Sequence, residues 1–273
     1  MAADGPEGGV SRGLDTSVAH PARVYDYWLG GKDNFAADRA AAEAAMAANP
    51  LIVPGVRANR AFLVRAVRFL AGEVGIRQFL DIGTGLPSAD NTHEVAQAIA
   101  PQCRIVYVDN DPIVLRHAEV LLTSTQEGAT TYVEADARDL DAIVRQAAQT
   151  LDFGRPVAVM LLAILQNIAD SDDPHQVVAR LMSALVPGSW LVLSHPASDI
   201  HPEIMAEMAS RLNDRQRAAE YVRFRTREEI SRFFDGLELV EPGVVQLHRW
   251  RPAPGDYVPD HEITAWCGVA RKR

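Results

Sequence analysis

The stretch Gln78-Phe79-Leu80-Asp81-Ile82-Gly83-Thr84-Gly85 decides the fold class. An apolar run that ends in Asp-x-Gly-x-Gly is typical of a buried strand that turns sharply into a ligand-binding loop. Glycine at positions 83 and 85 permits unusual backbone angles and leaves no Cβ in a ligand's path. Asp81 would stand at the carboxyl end of the strand, where open α/β sheets bind ligands. A plain strand-to-helix turn also fits this octapeptide, because many ordinary turns contain Gly-x-Gly.

Two later apolar runs also end on acidic residues. The run 104–108 is followed by Asp109, and the run 130–133 is followed by Glu134 and Asp136. An acidic residue at the end of the second strand of a doubly wound sheet is placed to accept hydrogen bonds from a cofactor ribose. Asp109 to Pro112 would also cap the next helix, and both interpretations can hold together.

The loop chemistry favours S-adenosylmethionine over a dinucleotide. Dinucleotide sites usually read Gly-x-Gly-x-x-Gly, whereas this loop has Ser88 in place of the third glycine. A carboxylate at position 81 would repel a pyrophosphate but accept hydrogen bonds from an ammonium group. S-adenosylmethionine offers an amino-acid end, a ribose and an adenine without phosphate, and the three acidic strand ends match these parts in turn.

Two long motifs carry a resemblance to a known family. They are Ala22-Arg23-Val24-Tyr25-Asp26-Tyr27-Trp28-Leu29-Gly30-Gly31-Lys32-Asp33-Asn34-Phe35, and the stretch from Phe79 to Pro87 with Asn91-Thr92-His93-Glu94-Val95 and the run 106–112. The chain resembles a family of bacterial S-adenosylmethionine-dependent methyltransferases that was first catalogued as a domain of unknown function. The resemblance covers nearly everything after residue 14.

The resemblance implies both a fold and a set of cofactor contacts. The implied fold is α/β, a Rossmann-like doubly wound seven-stranded sheet of class I methyltransferases with an N-terminal helical extension. Asp81, Gly83 and Gly85 would line the methionine end of the cofactor, Asp109 would bind the ribose, and Asp136 would lie at the adenine edge. Their neighbours Thr84, Asn110 and Ala137 are further cofactor-binding candidates. The family more often has a histidine where this chain has Gln166-Asn167.

The order of elements agrees with that fold. We expect helices near 20–30, 36–48 and 55–74, then strands near 77–82, 104–109, 130–134, 156–164 and 189–194 with helices between them. This alternation predicts a parallel sheet with right-handed crossovers. A helical region near 201–235 precedes two β-rich runs, 237–250 and 263–270, which would form an antiparallel hairpin. The expected domains are a disordered tail over 1–14, a helical extension and cofactor lid over 15–74, and a methyltransferase domain over 75–273.

Further residues are candidates for the site. The Gly30 to Asn34 turn has the composition of a loop that closes over a cofactor, with Lys32 or Asn34 as the contact. A guanidinium such as that of Arg60 is suited to pairing with the cofactor carboxylate. His93 is expected near the cofactor at the start of the glycine-loop helix. His195, at the end of the fifth strand, is the candidate general base, although a strand-capping role is equally open.

Composition limits the functional class. The 273 residues are 48% hydrophobic and carry 27 basic against 36 acidic side chains, a net charge of −9. An acidic chain has no global basic field for a nucleic acid, so we expect none as partner. The apolar run 157–165 is too short to span a membrane and no leader segment is recognisable, which favours a cytoplasmic protein. The two cysteines, Cys103 and Cys267, are interpreted as buried reduced thiols, and no spacing suggests a metal.

Three functional hypotheses follow from the sequence. The favoured one is a methyltransferase that acts on a small-molecule acceptor. The second is a protein that binds S-adenosylmethionine without transferring its methyl group, because no base is obvious. The third is a nicotinamide-dependent oxidoreductase, which Asp109 permits and Asp81 disfavours.

Overall fold

The protein is described here by a computed structural model. It describes residues 15–88, 90–114, 124–213, 221–254, 256 and 258–273. The predicted disordered tail over 1–14 lies outside these residues. Within the described part of the chain, no helix has both the length and the apolar character needed to cross a membrane.

The core of the fold is a parallel sheet. Its five parallel strands are β1 (Gln78–Ile82), β2 (Arg104–Asp109), β3 (Ala129–Glu134), β4 (Ala158–Leu162) and β5 (Trp190–Pro196). They lie in the order β3-β2-β1-β4-β5. Successive strands are thus added toward one edge of the sheet up to β3 and toward the other edge from β4 onward, with the reversal between β1 and β4. Such a reversal opens a crevice at the carboxyl ends of the strands, which is where ligands bind in doubly wound sheets.

The antiparallel end of the sheet has one more strand than predicted. Strand β8 (Ala265–Arg271) pairs with β5 on one side, and on its other side with two short strands, β6 (Glu238–Leu239) and β7 (Val245–Gln246). The run 237–250 was predicted to be continuous, but a turn at Glu241–Gly243 divides it. The sheet therefore has eight strands in seven positions.

Helices cover both faces and the top of the sheet. The described helices are α1 (Pro21–Leu29), α2 (Ala36–Ala48), α3 (Ile52–Arg68), α4 (Thr92–Ile99), α5 (Leu140–Ala147), α6 (Pro174–Ser183), α7 (Pro202–Leu212) and α8 (Arg227–Ser231). The third begins three residues earlier than predicted, because Pro54 is tolerated in a first helical turn. It then continues as a π-helix over Phe69–Val74.

Two apolar layers flank the sheet and fix its position. One packs Ile143, Leu181 and Phe233 against strand residues such as Leu80, and the other packs Phe62 and Trp250 on the opposite face. A separate apolar cluster joins the N-terminal helices to α7. The predicted N-terminal extension is therefore attached above the sheet at the α7 side.

Candidate functional site

A cavity opens at the carboxyl ends of the parallel strands. Strand ends and loops form its floor, and α1, α3 and α7 form its walls and roof. The predicted residues in its wall are Asp81, Gly83, Thr84, Gly85, Asp109, Asn110, Arg60 and His195. The topology thus brings together eight of the thirteen candidates around one space.

The glycine loop has the conformation that its sequence predicts. Gly83 and Gly85 have φ angles of 74° and 64°, in the left-handed region that disfavours other residues. The Gly83 amide donates to the carbonyl oxygen of Val108 at 2.8 Å, which ties the loop to β2. A Cβ on Gly83 would lie 2.5 Å from the side chain of Ile164, whereas one on Gly85 would meet nothing within 4 Å. Open space beside Gly85 is what a bound ligand would need.

Asp81 is a buried carboxylate at the end of β1. Its Oδ2 accepts a hydrogen bond from the Thr92 hydroxyl at 2.7 Å. Burial raises its pKa from an ordinary 3.8 to about 6, and the nearby Asp109 charge acts in the same direction, while Thr92 and Arg60 oppose it. Burial makes the charged form of this carboxylate unfavourable. A cationic ligand group beside it would stabilise that charged form, so the site is suited to such a group.

Asp109 connects the second strand to the glycine loop. Its Oδ2 accepts from the Gly85 amide at 2.8 Å and its Oδ1 from the Asp111 amide at 3.0 Å. Burial raises the pKa of this carboxyl too, against the opposing effect of those two amides. The two predicted roles of this segment coexist, because Asp111 also caps the following turn through the amide of Ile113 at 2.9 Å.

The predicted adenine edge forms a smaller hollow beside the main cavity. Asp109 and Asn110 line both spaces, and Asp136 and Ala137 line the smaller one. The Asp136 carboxylate is bound by the Arg138 guanidinium at 2.6 Å, which lowers its pKa. Asp136 is therefore an ion-paired group at the rim, unlike the two buried carboxylates.

His93 lies behind the cavity wall. Its amide donates to the Tyr107 hydroxyl at 2.9 Å, and its Nδ1 is also 2.9 Å from that oxygen. Tyr107 lines the cavity, whereas His93 does not. The structure thus places His93 as a support for Tyr107, and burial lowers the pKa of its imidazole.

The turn after α1 has its polar groups directed at its own helix. Asp26 accepts hydrogen bonds from the Asp33 amide at 3.0 Å and from Asn34 Nδ2 at 2.9 Å. A Cβ on Gly31 would collide with the Asp26 carboxyl, so a larger residue there would displace that carboxyl from these hydrogen bonds. Lys32 is exposed, and neither it nor Asn34 lines the cavity. Their contact with a cofactor stays a prediction, and it would require this turn to move.

Other residues of the N-terminal extension do reach the cavity. His20, Tyr25 and Trp28 line it. His20 Nδ1 lies 3.1 Å from the Asp111 carboxylate, and Arg23 is 3.5 Å from the same group. The helical extension is thereby fastened to the residues that follow β2.

His195 is a neutral, fully engaged ring. Its Nδ1 lies 2.8 Å from the Pro196 carbonyl oxygen, and its Nε2 lies 2.9 Å from Arg225 Nη1. Because guanidinium groups only donate, Nε2 is the acceptor and Nδ1 carries the proton. Burial, with the Arg225 charge, lowers the pKa of His195 to about 3. This geometry speaks against the predicted role of His195 as a general base, since no ring nitrogen is available to take a proton.

A buried polar chain that the sequence did not reveal crosses the cavity wall. The Ser194 hydroxyl donates to Asn59 Oδ1 at 2.7 Å, and Asn59 Nδ2 donates to the Tyr25 hydroxyl at 3.0 Å. These residues come from β5, α3 and α1. The sequence signal was limited to Tyr25, which lies in the motif from Ala22 to Phe35, and nothing in the sequence connects Tyr25 to Asn59 or Ser194.

Tyr132 is a second contributor that sequence reasoning missed. Its hydroxyl lies 3.3 Å from the Thr84 hydroxyl and its ring lines the cavity. In the sequence it stands out only as part of a β-like run. Among the described residues, no group of three or more His, Cys, Asp or Glu side chains is arranged to hold a metal ion.

Comparisons with known proteins show the family of this chain. The model of the S-adenosyl methyltransferase family matches residues 7–273. A crystal structure of a DUF574 family protein from Streptomyces avermitilis MA-4680 is 46% identical, covers 95% of this chain and 99% of its own, and superposes with a TM-score of 0.90. A candidate methyltransferase from Thermobifida fusca YX is 43% identical, with coverage of 97% and 98% and a TM-score of 0.86. No curated protein matches the sequence.

A more distant structure shows the fold alone. The plantazolicin methyltransferase BpumL, solved with a triazolic desmethylPZN analog and S-adenosylhomocysteine, is 12% identical, covers 92% of this chain and 96% of its own, and has a TM-score of 0.52. The sheet and its crevice are those of class I methyltransferases. The chain belongs to the S-adenosyl methyltransferase family, and it is an S-adenosylmethionine-dependent methyltransferase.

Proposed function

We propose that the chain methylates a small molecule inside this cavity, with the cofactor lying across the ends of β1, β2 and β3. Asp81 and the Gly83–Gly85 loop would hold the methionine end. Asp109 and Asn110 would hold the ribose, and Asp136 and Ala137 would border the adenine. The observation that carries this assignment is the pair of buried carboxylates on neighbouring strands, Asp81 and Asp109, in the wall of one cavity beside a left-handed glycine loop.

The chemistry of these groups fits the proposed cofactor. Asp81 suits an ammonium group because a positive charge would offset the cost of its burial. Asp109 retains acceptor capacity on both oxygens beyond the two amides that it binds, so it can accept from two ribose hydroxyls. The bound cofactor supplies a methyl group that its positive sulfur has already activated. The chain's own task is therefore to bind, orient and exclude water.

A small acceptor is favoured by the roof of the cavity. Helices α1, α3 and α7 contribute Tyr25, Val56, Met205 and Met208 to the wall, so the far end of the space lies between packed helices. A space of this kind suits a small molecule better than a segment of folded protein or duplex nucleic acid. The acidic net charge agrees with this interpretation. The two free, buried thiols, Cys103 and Cys267, support a cytoplasmic location.

Two measurements test the proposal. Calorimetry should detect S-adenosylhomocysteine binding and no NAD binding, and Asp109→Asn should weaken the former. Formation of S-adenosylhomocysteine from S-adenosylmethionine should then rise when fractionated metabolite pools are added. Rates that rise instead with protein or nucleic-acid fractions would contradict a small-molecule acceptor.

A further inference from the structure

The end of the cavity that lies between the N-terminal helices and α7 is apolar. It is lined by Trp28 of α1, Ile52 and Val56 of α3, Met205 and Met208 of α7, and Phe224. The same residues form one apolar cluster in which the N-terminal helices meet α7. Methionine side chains adapt to irregular ligands, and aromatic rings add contact area at a small cost in conformational entropy.

One polar side chain at this end, that of Asn49, is already satisfied. Asn49 is buried, and its Oδ1 accepts from the Leu51 amide at 3.0 Å. Its Nδ2 lies 3.5 Å from the sulfur of Met205 and 3.6 Å from that of Met208. Asn49 therefore shapes the wall and offers no charge to a ligand.

Among the described residues of the cavity wall, those with acidic or basic side chains lie on the proposed cofactor side, apart from His195. Asp81 and Asp109 belong to the strand ends, Arg60 donates to the Asp90 carbonyl at 3.0 Å, and His20 pairs with Asp111. His195 is neutral, as described above. A charged acceptor placed against the apolar end would lose its hydration without gaining a counter-charge, which is costly.

One side-chain oxygen in the cavity lining has no hydrogen-bond partner in the described part of the chain. Gln166 lines the cavity, and its Nε2 donates to the Ala163 carbonyl oxygen at 2.5 Å. This bond fixes the orientation of the amide, because a carbonyl oxygen cannot donate. Gln166 Oε1 is then a buried acceptor with no hydrogen-bond partner among the residues that the structure describes. Such a group is destabilising until a donor reaches it.

We propose that the methyl acceptor is an uncharged, largely apolar molecule with an aromatic or similarly flat body and one hydroxyl or amine donor. Its body packs against Trp28, Met205, Met208 and Phe224, and its donor bonds Gln166 Oε1. This assignment rests on the proposed function, because it places the cofactor at the opposite end of the same cavity. It explains both the apolar wall and the orphaned amide oxygen.

The test uses three naphthalene probes on the full chain saturated with S-adenosylhomocysteine. We expect 1-naphthol to bind, 1-methoxynaphthalene to bind several-fold more weakly because it lacks a donor, and 1-naphthalenesulfonate to bind at least about tenfold more weakly because its charge is unpaired. Calorimetry on the unmodified protein gives this series. Failure of S-adenosylhomocysteine itself to bind would refute the proposed function, separately from the acceptor assignment.

Matched variants locate the probe. Met208→Trp should fill the apolar end and weaken 1-naphthol at least about tenfold while leaving S-adenosylhomocysteine affinity unchanged. Ile204→Trp, on the exposed face of the same helix, should change neither. Gln166→Met should abolish the preference for naphthol over its methyl ether, and Gln176→Met, on the exposed face of α6, should retain it.

Three results would each overturn the proposal. The proposal is overturned if the sulfonate binds as tightly as naphthol or if no probe binds the loaded protein. It is also overturned if Met208→Trp folds and binds naphthol normally. If Met208→Trp does not fold, the charge series on the unmodified chain still decides the question.

Discussion

Replacing Asp81 with asparagine should make the ligand-free protein more stable at neutral pH while impairing cofactor binding. Burial raises the pKa of this carboxyl from 3.8 to about 6. That difference corresponds to at most about 3 kcal/mol of unfavourable free energy for the charged form in the folded state. The amide introduced by Asp81→Asn would carry no charge yet could still accept from the Thr92 hydroxyl, so most of this cost should disappear in the variant.

The sign of the pH dependence makes the test specific. Because the folded-state pKa is raised, the favourable contribution of protonated Asp81 is fully present below 3.8 and is lost as pH rises through about 6. In urea titrations, the free energy of unfolding of the variant should therefore exceed that of the parent by about 1–3 kcal/mol at pH near 7.5. At pH near 4 the two values should be almost equal.

A control variant separates this effect from a general loss of charge. Asp136→Asn removes a carboxylate whose pKa is lowered by Arg138, so it should give no stabilisation at neutral pH. The reasoning would be refuted if Asp81→Asn destabilised the protein at neutral pH, or if its effect were the same at both pH values. Retention of full S-adenosylhomocysteine affinity by Asp81→Asn would remove Asp81 from the methionine end of the site.

Four further expectations concern single elements of the site. Asp109→Asn should weaken S-adenosylhomocysteine binding at least about tenfold in calorimetry, since hydrogen bonds to charged groups contribute about 1.5–3 kcal/mol; unchanged affinity would exclude a ribose contact. Gly83→Val should abolish cofactor binding, because Gly83 has a φ of 74° and a Cβ there would collide with Ile164. Gly236 also has a left-handed backbone but open space around it, so Gly236→Val should lower the stability of the protein and leave binding unchanged. Stability should fall as pH drops from 6.5 toward about 3, because buried His195 resists protonation, and denaturant titrations of His195→Gln should show less of this acid sensitivity. Hydrogen exchange at residues 30–35 should slow when S-adenosylhomocysteine is added, and equal exchange would leave that turn with a structural role only.

The geometry of the proposed cofactor half of the site was largely predictable from the sequence, because its determinants are local. A strand, a glycine pair and an acidic strand end lie within a few residues of each other, and parallel pairing brings successive strand ends to one edge. Asp81 and Asp109 meet in this way, with Ile82 in register with Val108. The left-handed angles of Gly83 and Gly85 follow from the same short segment.

The acceptor half could not be predicted, because its contacts join distant parts of the chain. Ser194 and Asn59 are 135 residues apart, and Arg225 and His195 are 30 apart. The sequence shows a histidine after a strand but not that both ring nitrogens are engaged. It likewise shows the polar Gly30–Asn34 turn but not that Asp26 binds its polar groups.

The N-terminal extension and the ribose site are joined by one continuous set of buried polar groups. The Asp111 amide holds Asp109, and the Asp111 carboxylate lies 3.1 Å from His20 and 3.5 Å from Arg23. Arg23 is also 3.6 Å from the fully buried Asp38 of α2, which accepts from the His20 amide at 2.9 Å. Removing one member would leave its partners charged and desolvated, which costs more than the pair contributes. Helix α1, which contributes to the roof of the acceptor space, is therefore held by Asp111, the residue whose backbone amide orients the proposed ribose ligand Asp109. Substitutions that loosen α1 should consequently also weaken binding at the proposed ribose site.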